Sequence, residues 1–167
     1  MRKPIRAALL APLLAPLLLL TLSACSAAVA LQPADGATDP DCARVVVALP
    51  DTVGGLDARE TDAQGTGAWG QPAGVILHCG VPSPPPTSAE CVTVDGIDWI
   101  RDDSDDPNFA FTTYGRTPAV EVIIDSDGDP DVDNDGVSGR EALTDLSSAM
   151  EALPQNGGRC VAPEDAG

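Results

Sequence analysis

Lysine, histidine and aromatic side chains are nearly absent from this chain. Lys3 is its one lysine, His78 its one histidine, and five aromatics stand among 167 residues. A single imidazole means that any Ser-His-Asp or Cys-His arrangement must use His78. That residue sits in "PAGVILHCG" facing away from Val75 and Leu77, which reads as a surface or half-buried strand position. No G-x-S-x-G, phosphate loop, H-E-x-x-H or dinucleotide fingerprint is present. No C-x-x-C occurs either, which weakens a zinc reading. No internal repeat of about 20 residues or more is visible, which excludes a solenoid. Carboxylates are plentiful at 26, but with so many to choose from no pair singles itself out for acid–base work.

What is present begins at the N-terminus. "MRKPIR" is basic, "AALLAPLLAPLLLLTL" is apolar apart from one Thr, and "LSAC" follows. Basic start, apolar middle and small residues before a cut are the layout of a secretory signal. The apolar run is shorter than the ~20 residues of a spanning helix and carries Pro12 and Pro16. Leu22, Ser23, Ala24 and Cys25 resemble the lipobox of bacterial lipoproteins. That resemblance implies acylation of Cys25 and a stable anchor on the outer face of the cytoplasmic membrane. Removing residues 1–24 leaves 143 residues, a one-domain length. Six arginines then face 26 acidic residues, a formal net charge of −20. Such a surface repels phosphate backbones and anionic headgroups, so nucleic acid is not an expected partner. The expected partners are the membrane, through the acyl anchor, and another envelope component.

The lipobox accounts for the odd cysteine of five. Cys42, Cys79, Cys91 and Cys160 remain in an exported chain, where disulfides persist. Three pairings are possible. The favoured one joins Cys79 to Cys91 across one loop and Cys42 to Cys160 across the two ends.

Residues 25–41 read as the lipidated cysteine and a flexible tether, small, polar and Pro/Gly-containing. Residues 42–161 read as one globular domain and 162–167 as a flexible tail. "DCARVVVALP" suits a short helix capped by Asp41, with Val45, Val46 and Leu49 inward, although its Val run also suits a strand. Residues 51–68 read as a Gly/Asp/Thr-rich connection. Strand signals follow at "PAGVILHCG", "CVTVDGIDWI" and on both sides of Gly115, where Val120, Val122 and Ile124 share a face. Asp95-Gly96 predicts a tight hairpin turn or a bulge. "GREALTDLSSAMEALP" is the clearest helix, with Leu143, Leu146, Met150 and Leu153 at helical spacing and Pro154 as its stop. The sum is α+β: a small antiparallel sheet of about four to five strands packed with an N-terminal and a C-terminal helix and stapled by disulfides.

Taken in order, "CARVVVALP", "AWGQPAGVILHCGVP", "CVTVDGIDWI" and "FTTYGRTPAVEV" resemble an actinobacterial lipoprotein family known as domain-of-unknown-function family 3515. The likeness covers residues 42–160. The Trp-Gly-x-Pro segment, the Cys-Gly pair and the Thr-Tyr-Gly-Arg turn carry most of it. It implies an exported, membrane-attached domain of a Gram-positive envelope and brings no established activity.

Four features are candidate sites. "IIDSDGDPDVDNDGVSGRE" places aspartates at every second position from Asp125 to Asp135. A calcium loop fits in one register, with Asp131, Asp133 and Asp135 as carboxylates, Gly136 at the turn and the Val137 carbonyl as a further ligand. Its twelfth position is Ala142, however, where the pattern wants Glu. The stretch therefore reads either as a weak calcium site or as a solvated acidic loop. Arg116, in a Gly-Arg turn, either grips an anionic ligand or fixes the turn by pairing with Asp98 or Glu121. Trp69 and Trp99 read as core or as the lining of a binding groove. The expectation is a non-catalytic, lipid-anchored binding or accessory module without a cofactor. Its alternatives are a calcium-responsive version and a carboxylate-dependent hydrolase.

Overall fold

The computed structural model describes residues 27–127 and 136–161. Two helices and eight strands follow one another as α1 (Pro40–Val47), β1 (Thr52–Val53), β2 (Leu56–Arg59), β3 (Thr66–Trp69), β4 (Val75–Val81), β5 (Cys91–Val94), β6 (Ile97–Asp105), β7 (Asn108–Thr113), β8 (Ala119–Asp125) and α2 (Gly139–Met150). The strands form one sheet in the order β1-β2-β3-β4-β8-β7-β6-β5, antiparallel throughout. It is two four-stranded meanders joined at their last strands, β4 and β8. The loop 82–90 carries the chain from the middle of the sheet to its far edge.

Alternation decides which face is covered. Val75, Leu77 and Cys79 of β4 stand opposite Ile124, Val122 and Val120 of β8, and all six are fully buried. Across the next pair Phe111 meets Val122, and Trp99 meets Thr113. Both helices lie on this face. α2 turns Leu143, Leu146, Ala149 and Met150 into it, and α1 adds Cys42 and Val45. His78 and Glu121 pair on the opposite face, half-buried. Asp95 (φ 47°) and Gly96 (φ 79°) form the two-residue turn between β5 and β6, as Asp-Gly predicts for a tight hairpin with both central residues left-handed.

The sheet exceeds the expected four to five strands because β1, β2 and β3 fall within the stretch that reads as a connection. Gly67 misleads there. A Cβ at Gly67 would meet the Trp69 ring and Leu49 at 2.8 Å, so this glycine is room for the indole to lie back along its own strand rather than a turn. The helix cap is Asp39, whose side chain accepts from the Asp41 N–H at 2.8 Å with Pro40 next in line. Val46 faces solvent rather than the core.

The disulfides are Cys42–Cys79 and Cys91–Cys160, not the favoured Cys79–Cys91 and Cys42–Cys160. Three strands separate β4 from β5, which sets Cys79 and Cys91 about 19 Å apart across the sheet. Their faces also differ. Cys79 aligns with the covered face, whereas Cys91 pairs with Ile100 on the other. All four thiols are consumed, so none remains for zinc. The tether reading of residues 25–41 fails from residue 27 onward. Val29 bridges Thr61, the Arg59 guanidinium donates to the Ala27 carbonyl at 2.9 Å, and the Gly36 N–H donates to the Gly80 carbonyl at 3.0 Å. Gly80 (φ +97°) has no room for a Cβ, which would lie 2.2 Å from the Gly36 carbonyl carbon. Small residues, read as flexibility, are here what permits backbone-to-backbone packing. Residues 1–24, Cys25, Asp131, Asp133, Asp135 and the tail 162–167 lie outside the described residues.

Candidate functional site

Next to the first turn of α2, which starts at Gly139, the described residues form a concavity on the covered face. The two phenylalanines of the chain sit there. Phe109 and Phe111 stand two apart on β7 and so point the same way, toward the helix layer. β6 supplies Arg101, in register with Phe111, and the edge strand β5 supplies Val92, in register with Trp99, and Val94. Opposite them α2 contributes Leu143, with Val137 and Gly139 just before it. Together these residues bound a cleft of about 530 Å³, within the range of ligand-binding pockets.

Its floor is apolar and its rim is charged. The Arg101 guanidinium lies 4.6 Å from the centre of the Phe109 ring and reaches Glu90 Oε2 at 3.1 Å. One cation is thus placed over an aromatic face and neutralised by a rim carboxylate. Arg140 is exposed at the rim and forms no ion pair among the described residues. The Val137 N–H donates to the Asp125 carbonyl at 2.9 Å, closing the base of the acidic stretch. Gly136, at φ +74°, makes the turn, and a Cβ on it would meet the Ser126 carbonyl oxygen at 2.7 Å. Among the described residues that line the cleft there is no histidine, and Glu90 is the one carboxylate.

The sequence-predicted residues lie elsewhere or serve structure. Trp69 and Trp99 are fully buried in the core, and neither is among the residues lining the cleft. The Trp69 indole N–H donates to the Pro50 carbonyl at 3.0 Å; that of Trp99 has no partner among the described residues. Arg116 is buried in the turn between β7 and β8, and its Nη1 donates to the Leu153 carbonyl at 2.9 Å. Burial holds its guanidinium below the usual arginine range, and the nearby Glu151 and Asp98 carboxylates partly oppose that shift. No ion pair to Asp98 or Glu121 forms. Asp98 instead accepts from Thr93 Oγ1 at 2.6 Å and from the Cys160 N–H at 2.9 Å. Arg116, Asp98 and Cys91–Cys160 thus clamp the segment after α2 against the sheet.

Of the proposed calcium ligands only Val137 is among the described residues, and its side chain is part of the core. Ala142, at the position that would complete a calcium loop, is also fully buried, and an added Cβ at Gly54 would approach its methyl group at 3.9 Å. The helix turns that position into the core. Among the described residues no group of three or more His, Cys, Asp or Glu is placed to hold a metal.

The cleft itself was missed by reading residues one type at a time. Its signal was positional: Val92 and Val94, and Phe109 and Phe111, are i, i+2 pairs on neighbouring hairpins, and register decides that they share a face. No curated protein and no solved structure matches the chain. A family model does, over residues 6–157, which is most of the chain: the protein belongs to the family described as "Protein of unknown function (DUF3515)".

Proposed function

We propose that this protein is a lipid-anchored, extracytoplasmic binding or accessory module that catalyses nothing and presents the Phe109–Phe111 cleft to an envelope component. The observation that carries the reading is the cleft, an apolar concavity between sheet and helix whose charged lining residues, among those described, are Glu90, Arg101 and Arg140. Support for the anchor comes from Leu22-Ser23-Ala24-Cys25 directly after the apolar run. The described domain begins within a few residues of Cys25, so an acyl group there would hold it close to the membrane rather than on a long tether.

The test is a photo-crosslinking side chain at Val92, inside the cleft, compared with one at Thr52, exposed on β1 at the other edge of the sheet. In living cells the Val92 probe is expected to give a discrete adduct and the Thr52 probe none. Equal labelling from both positions, or none from either, contradicts the reading. For the anchor, Cys25→Ala is expected to leave the protein unprocessed or release it to the medium. Membrane-bound protein whose Cys25 is unmodified by mass spectrometry contradicts lipidation.

A further inference from the structure

At the end of α2 opposite the cleft, the β5–β6 turn, the loop between β7 and β8 and the segment after α2 meet around Arg116. Two hollows of about 140 and about 380 Å³ lie there and share Gly96, Arg116 and Gln155 in their lining. Arg116 is 6% exposed and forms no ion pair among the described residues. Its Nη1 donates to the Leu153 carbonyl, whereas Nε and Nη2 are neither hydrogen-bonded nor sealed in among the described residues. Nε and Nη2 form one edge of the guanidinium, a pair of parallel donors that a carboxylate meets bidentately. Burying a cation with that edge open costs free energy unless an anion or water meets it.

The two hollows carry opposite charge. Beside Arg116 in the smaller one stands Arg159, exposed and without an ion pair among the described residues. The carboxylate in its lining is Asp98, whose two oxygens already accept from Thr93 Oγ1 and from the Cys160 N–H. The larger hollow adds Asp95 and Glu151, both exposed and likewise without an ion pair among the described residues. Glu151 is also the C-terminal cap of α2, whose last turn holds no basic residue, so helix end and side chain are negative together. A simple anion is held at one end and repelled at the other, and a simple cation meets the reverse. A molecule that bears both charges is favoured at both ends.

We propose that these two hollows form a second binding site, independent of the cleft, for a small zwitterionic ligand of the amino-acid class. Its carboxylate takes the Nε–Nη2 edge of Arg116 with Arg159 beside it, and its ammonium group faces Asp95 and Glu151. Ile97 and Leu153 supply the apolar lining between them.

Tyr114 is the one tyrosine of the chain and lines the smaller hollow, so isotope-labelled tyrosine in the full chain gives an NMR signal from the site alone. The probes are glycine, γ-aminobutyrate and ε-aminocaproate, which differ in the spacing of their charges, at about pH 7, where both groups are ionised. Butanoate and butylammonium, at matched ionic strength, are the one-charge controls. At least one of the three zwitterions is expected to shift the Tyr114 signal saturably, and to bind at least about fivefold more tightly than either control. Glu151→Gln is expected to cut the advantage over butanoate about two- to fivefold, and Arg159→Gln the advantage over butylammonium by a similar factor. Arg116→Lys, which keeps the charge and loses the paired donors, is expected to weaken binding about tenfold. Glu151 and Arg159 are exposed, so their variants decide the matter even where Arg116→Lys folds poorly. A control that binds as tightly as every zwitterion overturns the two-ended site, as does binding unchanged in both Glu151→Gln and Arg159→Gln. A Tyr114 signal that stays in place with all the probes up to about 50 mM overturns the site itself. The Val92 crosslink tests the cleft separately from all of these outcomes.

Discussion

Removing the two disulfides one at a time distinguishes the observed pairing from its alternatives and ranks the two by cost. The bridges close loops of 37 and 69 residues. Chain entropy alone gives about 3.8 kcal/mol for Cys42–Cys79 and about 4.4 kcal/mol for Cys91–Cys160. Packing reverses that order. Cys42 and Cys79 are fully exposure-free in the core, and replacing both by alanine takes two sulfurs from a packed interior at about 1–2 kcal/mol more. Cys91 and Cys160 are only half-buried. The Cys42→Ala/Cys79→Ala protein is thus expected to lose about 5–6 kcal/mol, a large share of a typical domain's stability, and the Cys91→Ala/Cys160→Ala protein about 4 kcal/mol. Urea denaturation of the three proteins measures both. The pairing is read independently by digesting unreduced protein with trypsin and a glutamate-specific protease. Cleavage after Glu60, Glu90 and Arg101 separates the peptides 61–90 and 91–101. The first should be held to the peptide ending at Arg44 and the second to the peptide beginning at Cys160. A disulfide between 61–90 and 91–101, or a Cys91/Cys160 deletion costlier than the Cys42/Cys79 deletion by more than about 1 kcal/mol, refutes the reasoning.

Three further outcomes follow from the geometry. Gly115→Ala places a Cβ 1.9 Å from the Gly158 carbonyl oxygen at φ +75°, so a loss of about 3 kcal/mol or more and release of the C-terminal clamp are expected by denaturation and hydrogen exchange. Trp69→Phe leaves the half-buried Pro50 carbonyl without its indole donor, whereas Trp99→Phe removes an N–H that has no partner among the described residues. The first is expected to cost about 1 kcal/mol more than the second; equal costs contradict the assignment. Ala142→Glu forces a carboxyl into the core, so a loss of about 3 kcal/mol or more is expected, with no gain in calcium affinity by calorimetry. A stable variant with tighter calcium binding would revive the closed calcium loop.

Legibility in the sequence followed how local each cause was. α2 was plain because Leu143, Leu146 and Met150 repeat at helical spacing, and the Asp95-Gly96 turn because its chemistry is confined to two residues. β3 was not, because Thr66–Trp69 owes its place to partners on both sides rather than to its own propensity. The pairing of the cysteines depends on strand order, and the crossing from β4 to β5 reverses it. The residues with the most conspicuous chemistry proved structural: Trp69 and Trp99 fill the core, and Arg116 holds a carbonyl. The cleft is built from ordinary side chains whose meeting is a matter of register between β5, β6 and β7, and one sequence does not display register.

The cleft offers its own reporter, since Phe109 and Phe111 are the only two phenylalanines of the chain and both line it. Replacing them biosynthetically with 4-fluorophenylalanine gives a fluorine NMR spectrum in which both resonances come from the site. The spectrum of the full chain is recorded alone and then with an excess of detergent-solubilised envelope from its own cells, with Val92→Arg as the comparison. If the cleft is the binding site, both resonances shift or broaden on addition, and the change is lost in Val92→Arg. Two resonances that stay in place in the unaltered protein contradict it.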